Sequence, residues 1–261
     1  MKALGIAATG MLAQQTNVDV IANNIANANT TGFKSGRAAF QDLIYQSERR
    51  QGALTAEDGT ARPVGVDIGL GVASAGVMRL NTQGGLVETK NQLDIAIQGR
   101  GYFQIAMPDG STAYSRAGNF TLSPEGAIVT YDGHELDPGI VIPEEASAIE
   151  ISLDGVVRAT IPGEAVPQEI GQITLANFIN DAGLRAIGDN LLVETEASGE
   201  PMIANAGDEG YGTLRQFFLE TSNVNIIQQI TDLITAQRAY EMNSKAITTA
   251  DQMMQTVTQL R

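Results

Sequence analysis

Ala22-Asn-Asn-Ile-Ala-Asn-Ala-Asn-Thr-Thr-Gly-Phe-Lys34 is the stretch in which a long helical pattern gives way to a turn. On its N-terminal side no proline occurs through residue 28, and Leu4, Ala8, Met11, Gln15, Val18, Ala22 and Ile25 recur at alternating spacings of four and three. That is the heptad period of a narrow helix seam. Ala and Gln stand where a self-sufficient coiled coil would carry Leu or Ile, and Gly5 and Gly10 weaken the helix further, so it needs partners. Within Asn27-Ala-Asn-Thr-Thr-Gly32 the Asn and Thr side chains compete for backbone hydrogen bonds and Gly tolerates positive φ, which predicts a turn. The amides of Asn23, Asn24 and Asn27 read as partners of the backbone, not as a ligand site.

Beyond the turn lies a short apolar-periodic piece, Phe40, Leu43 and Ile44, and then Ser47–Gly65 is polar, with three acids and one proline, which predicts an exposed extended loop. From about residue 66 to 210 the period changes to two, as in Leu93-Asp-Ile-Ala-Ile97 and Ile149-Glu-Ile-Ser-Leu153. Turn signals at Pro108-Asp-Gly110, Ser123-Pro-Glu-Gly126, Asp132-Gly133 and Asp154-Gly155 separate these runs. An antiparallel β-rich domain is expected.

From Asn223 to Arg261 proline and glycine are absent, and Ile226, Ile230, Leu233, Tyr240, Ile247, Met254 and Val257 continue a helical stripe. Ser222 or Asn223 is the expected N-cap. The fold class is therefore α+β: paired long N- and C-terminal helices forming a coiled-coil layer, with a central antiparallel β-rich domain between them in sequence. Two long helices with thin seams are best satisfied by each other and by neighbouring molecules, which is the layout of a polymerising subunit. The seam residues expected to carry assembly are Leu4, Met11, Val18, Ile25, Ile230, Leu233, Tyr240, Ile247 and Met254.

The 261-residue chain has a formal charge of −14, unevenly placed. Residues 1–62 net +1, residues 63–210 net −15 and residues 211–261 net zero. An acidic middle repels phosphate and disfavours nucleic-acid binding, while near-neutral ends can pack against copies of themselves. No apolar run approaches the roughly 20 residues of a membrane span, and no signal-peptide pattern opens the sequence, so membrane insertion and a cleaved leader are not expected. There is no cysteine, which removes disulfides and thiolate chemistry.

Catalytic constellations are weak. His134 is the only histidine and sits in the turn signal Asp132-Gly-His-Glu135, whose acids lack the alternating spacing of a calcium loop. Gly69-Leu-Gly71 and Gly99-Arg-Gly101 lack the third glycine of a dinucleotide site. Gln237, Arg238, Tyr240 and Glu241 have no base or nucleophile nearby, and the i, i+4 spacing of Gln237 and Glu241 favours packing and hydrogen bonds between helices. No catalytic, cofactor or metal site is expected. A secreted β-rich enzyme or carbohydrate-binding module is the alternative of a different class; it would need a carboxylate pair or an aromatic platform, and the middle has scattered acids and no tryptophan.

The opening stretch resembles the N-terminal signature of the bacterial flagellar rod and hook axial proteins, Asn-Asn-(Leu/Ile)-Ala-Asn followed by Thr-x-Gly-(Phe/Tyr)-Lys, matched here at Asn23, Asn24, Asn27, Gly32 and Phe33. Glu220-Thr-Ser-Asn-Val-Asn225 with Gln237-Arg-Ala-Tyr-Glu241 and Asn243-Ser-Lys245 resembles the C-terminal signature, placing Asn223, Gln237, Arg238, Tyr240 and Glu241 in it. Similarity continues through Thr9–Gln15, Asp94–Gly99, Gly101–Gln104, Gly171–Leu175, Asn180–Gly183 and Ile187–Leu191, and length and the 47–65 segment favour the distal rod member. A proximal rod or hook subunit is the alternative within the family.

The resemblance implies three layers: residues 1–30 with 223–261 as the inner helical layer, 31–92 with 205–222 as a connecting layer, and 93–204 as the outer β-rich domain. It implies a helical homopolymer forming the hollow drive shaft that passes motor torque to the hook, located in the rod of the basal body across the periplasm. Implied partners are the chain itself, proximal rod proteins, the hook protein, the P-ring and L-ring bushing proteins and the flagellar type III export apparatus. Phe40-Gln-Asp-Leu-Ile44 resembles the export-gate motif of such subunits, with Phe40 and Ile44 as its apolar positions.

Overall fold

The computed structural model describes residues 2–49, 64–163 and 166–259. Among the described residues two long helices flank about twenty short strands: α1 spans Lys2–Ala26 and α2 spans Ile226–Gln259. Every strand pair whose register is defined is antiparallel, as the period-two runs and their turn signals require. Packing divides the chain into two units. The first comprises the described parts of residues 1–26, 36–78 and 225–261, the second residues 27–35 and 79–224.

In the first unit α1 and α2 run antiparallel against each other. A methyl group at Gly10 would lie 2.9 Å from Asn243 Nδ2, and Asn24 Nδ2 donates to Gln229 Oε1 at 2.9 Å. These contacts are fourteen residues apart on each helix and in opposite order, about four turns, so one face of each helix is used along that length. The face is made of small residues: Ala7, Ala13 and Ala236 are buried with Ile21. Gly10 is what lets the helix approach Asn243 this closely. Asn24, at the last turn of α1, also donates to Gly36 O and accepts from Gly36 N, both at 2.8 Å, so its amide closes the helix end. Thr9 Oγ1 accepts from Val72 N, fixing the strand Val72–Arg79 to α1.

Two expectations are corrected here. The N-cap of α2 is Asn225, whose Oδ1 accepts from Gln228 N at 3.2 Å, and not Ser222 or Asn223. Asn223 is unavailable because its amide is spent on Ser35 and Leu80, and Ser222 Oγ accepts from Val224 N in a turn before the helix. The segment expected to be a loop from residue 47 begins as a strand: Tyr45–Arg49 pairs with Val66–Gly69. Residues 50–63 of that expectation lie outside the described residues. Phe40 sits on the strand Gly36–Asp42 and Ile44 just after it, and both are exposed.

In the second unit a nine-stranded sheet is centred on Tyr102–Ala106. One edge of that strand pairs with Thr112–Ser115; the other is shared, Tyr102 and Phe103 pairing with Thr174–Asn177 and Gln104–Ala106 with Glu135–Asp137. Both faces of the strand are buried. Phe103 and Ile105 enter the main core with Ile95, Ile97, Phe120, Ile128 and Leu214, while Tyr102 joins Tyr114, Phe178 and Leu184 in a second cluster. Edge-to-face stacking orders both, Phe103 on Phe120 at 5.1 Å and Tyr114 on Phe178 at 4.8 Å.

Phe120 is fully buried and fills the space over Phe103. Phe120→Ala is expected to destabilise the protein by roughly 3–5 kcal/mol in urea unfolding followed by circular dichroism; a loss under about 1 kcal/mol would mean the site collapses around the void.

Candidate functional site: a buried ionic clasp

Glu220 ends a three-residue strand, Phe218–Glu220, paired with Leu86–Glu88. The carboxylate turns inward, where the side chain is fully buried. Three segments far apart in sequence converge on it. Lys34 Nζ donates to Oε1 at 2.5 Å and Gly84 N donates to the same oxygen at 2.8 Å. Arg116 Nε lies 3.1 Å from Oε2 as an ion-pair contact without linear hydrogen-bond geometry. Lys34 also donates to Thr82 O, and Arg116 Nη1 and Nη2 donate to Gly101 O and Gly99 O, both at 2.7 Å. A buried carboxylate thus has two cations, and most of their donors are used, which is the condition for tolerating charge inside a protein.

The backbone around the triad is tied as tightly. Phe33 N donates to Thr30 O, closing the turn after α1, and Gly32 N donates to Glu220 O at 2.8 Å. Gly32 has φ +68°, and a methyl group there would lie 2.7 Å from Ala117 N, so both its conformation and its neighbour exclude a side chain. Asn223 accepts from Ser35 N at 2.7 Å, donates to Leu80 O at 2.8 Å and gives its own N–H to Phe33 O. The Thr30–Ser35 and Glu220–Asn223 segments, each part of a terminal signature, are one hydrogen-bonded structure.

Burial pulls the Lys34 ammonium below the ordinary lysine range, with the Glu220 hydrogen bond and charge opposing it. Tyr102, close by, is pushed up to about 12, first by burial and then by the Asp181 charge; Tyr114 is pushed up to about 12 by burial and by Glu194.

Of the residues singled out from sequence, Gly32, Phe33 and Asn223 belong to the clasp, and Asn24 closes α1 in the first unit. Leu4, Met11, Val18, Ile25, Leu233 and Ile247 are half-buried in that unit. Ile230, Tyr240 and Met254 are exposed there, as are Gln237, Arg238 and Glu241. Sequence reasoning missed Arg116 and Glu220 as the charges of the triad. Lys34 and Glu220 both lie in the signatures, but nothing in period or spacing joins residues 186 apart, and Arg116 sits in no signature at all.

The two terminal signatures meet through Thr30–Ser35 and Glu220–Asn223, and from them the chain continues into α1 and α2. Comparison with known proteins places this arrangement in a family. Residues 4–34 match the flagella basal body rod protein family, residues 96–159 the flagellar hook protein FlgE/F/G D1 domain, and residues 215–260 the flagellar basal body rod FlgEFG protein C-terminal family. The flagellar basal-body rod protein FlgG of Caulobacter vibrioides is 54% identical over the whole of both chains, and that of Agrobacterium fabrum 55% over 97% of each. The Caulobacter vibrioides rod protein FlgF is 35% identical over 93% of this chain and 91% of its own. The chain belongs to the flagellar rod and hook family and, within it, to the basal-body rod proteins FlgG. It is a structural subunit of the distal rod, not an enzyme, and assembles into the flagellar rod with other axial proteins.

Two outcomes follow from the clasp. Glu220→Gln leaves two buried cations without their counter-charge and is expected to cost on the order of 3–5 kcal/mol in urea unfolding; a loss below about 1 kcal/mol would remove the carboxylate from its organising role. Because the phenols of Tyr102 and Tyr114 ionise near 12 when folded and near 10 when free, the folded state holds more protons between those values. Their contribution is complete below pH 10 and is lost as pH rises towards 12. Tyrosinate absorbance against pH should show a late-titrating pair that moves to about 10 in denaturant.

Proposed function

We propose that the terminal helices of neighbouring copies interlock to form the inner layer of a hollow helical shaft. Residues 31–92 with 205–222 form a connecting layer, and the β-rich domain of residues 93–204 faces outward. In this reading the shaft carries torque from motor to hook across the periplasm. It meets proximal rod proteins below, the hook protein above and the P-ring and L-ring around it, and its subunits travel through the type III export apparatus with Phe40 and Ile44 as a recognition element.

The observation that carries the reading is the apolar side of α2 left uncovered within one copy. Ile227 is 80% exposed and Met242 71%, with Ile230 and Ile234 also exposed on the same side, while Ala236 lies buried on the opposite one. A helix with a second apolar side needs a second partner. The near-neutral terminal segments allow copies to approach without the repulsion that the acidic middle would impose. No helix among the described residues is long and apolar enough to cross a membrane, so a lipid bilayer is not what this side of α2 spans.

Immunogold labelling of purified hook–basal bodies is expected to mark the outer part of the shaft; label confined to the hook or to the inner-membrane end would assign another axial position. Ile230→Asp places a charge on the uncovered side of α2. The variant is expected to fold within about 0.5 kcal/mol of the parent, as surface changes do, yet to yield non-motile cells lacking rods beyond the proximal segment. Normal swimming would remove Ile230 from the seam.

A further inference from the structure

On the second unit a pocket of about 300 Å³ opens beside the clasp. Lys34, Arg100 and Arg116 line it with Tyr102, and the one carboxylate in its lining is Asp181. The cations acting on the Tyr102 phenol are Arg116, Arg79 and Arg100, so Arg79 joins two of the lining residues there. Residues 63–210 hold only six Lys/Arg against 21 acids, yet two of those six, Arg100 and Arg116, line this pocket with Lys34, and a third, Arg79, acts on its Tyr102. A positive pocket on an acidic protein attracts anions, and the most abundant anionic surface available to it in an assembly is another copy of the same domain.

The pocket lining also holds polar atoms that the fold leaves unmet. Asn81 Oδ1 and Asp181 Oδ1 are buried without a hydrogen-bond partner; Arg79 Nη1, outside the lining, is unmet as well. Arg100, whose side chain is 65% exposed, reaches Asp181 only at 3.7 Å, and Lys34 spends two of its three N–H groups on Glu220 and Thr82. Buried polar atoms in native proteins have partners, so unmet ones mark a place where something binds. The unmet set is mixed. Cationic donors require an acceptor with negative charge, while the two oxygens require N–H or O–H donors. A free carboxylate supplies only the first; a turn of polypeptide bearing an Asp or Glu supplies both, the side chain to the cations and its backbone N–H groups to Asn81 and Asp181.

We propose that this pocket receives an acidic turn from the β-rich domain of a second copy of the chain, locking neighbouring subunits together outside the helical layer. The exposed turns carrying Glu144 and Glu145, or Glu209, have the required chemistry. The proposal rests on the rod reading above and adds to it a specific contact between copies. It is separate from Glu220, which already has its partners and stays within its own subunit.

The test is photo-crosslinking in motile cells, with a benzophenone amino acid at the exposed Asn180, next to Asp181. The expected product joins two copies through a peptide containing one of the exposed acidic turns. Arg100→Glu, which leaves the Lys34–Glu220–Arg116 contacts untouched, is expected to lower its yield about tenfold or more with an unchanged thermal midpoint, since like charges then face each other. Converting the crosslinked acid to Arg in the Arg100→Glu background should restore the product. A crosslink to a peptide without Asp or Glu, no crosslink between copies, or a yield indifferent to Arg100→Glu would overturn the assignment. Mass spectrometry of hook–basal bodies from the same cells separates the two levels: if the protein is present there and the crosslink fails, the pocket assignment falls alone, and if the protein is absent, the rod reading falls first.

Discussion

A single buried carboxylate sets the conditions for the rest of the β-rich unit. Glu220 in an apolar interior would be prohibitively costly alone, so Lys34, Arg116 and the Gly84 amide must all be in place around it. Each requirement propagates. Lys34 comes to Glu220 because the turn after α1 closes through Thr30 and Phe33. Arg116 arrives because its guanidinium is anchored on the carbonyls of Gly99 and Gly101, next to the doubly buried strand that begins at Tyr102. The triad therefore specifies which segments meet, and the apolar clusters around Phe103 and Phe178 supply most of the favourable free energy of packing. Burying an ion pair adds little net stability compared with apolar residues of the same shape, but losing one member is severe, and that asymmetry turns a polar contact into a check on correct folding.

The helical unit obeys a different constraint. Its paired face is built from Ala7, Gly10, Ala13 and Ala236 with amides at Asn24, Gln229 and Asn243, so the helices approach closely while burying little apolar area. Larger apolar side chains, Ile227, Ile234 and Met242 among them, point away from that face. This inverts the usual amphipathic arrangement, in which the largest apolar residues line the intramolecular contact. The division between small inside and large outside is what a subunit needs if its own fold is provisional and its neighbours complete it.

Much of this architecture was legible in the chain. The absence of proline and glycine after Asn223, the periodic stripe before Ala26 and the period-two runs with their Asp-Gly turns identified two helices and an antiparallel β-rich middle, because local sterics and amphipathicity act over a few residues. The end of α1 at the Asn-rich run was readable for the same reason. What could not be read was set by distance. The N-cap moved from Asn223 to Asn225 because Asn223 is captured by Ser35 and Leu80, contacts 188 and 143 residues away. Residues 47–49 of the strand Tyr45–Arg49 looked like a loop because they are polar and carry no alternation, and the partner strand Val66–Gly69 lies across an intervening segment. Arg116 had no periodic or motif signal, since its role comes from two carbonyls and one acid that only the fold assembles.

The separation of 186 residues between Lys34 and Glu220 also governs the order in which the chain can mature. A polypeptide emerging N-terminus first presents Lys34 and Arg116 long before the acid that neutralises them exists, and until residue 220 has appeared the β-rich unit must hold two cations with nowhere to bury them. Contacts this far apart carry a large loop-closure cost and slow the final step of folding. The subunit is thus built to remain open until the segment around Glu220 is present, and to close late around that carboxylate.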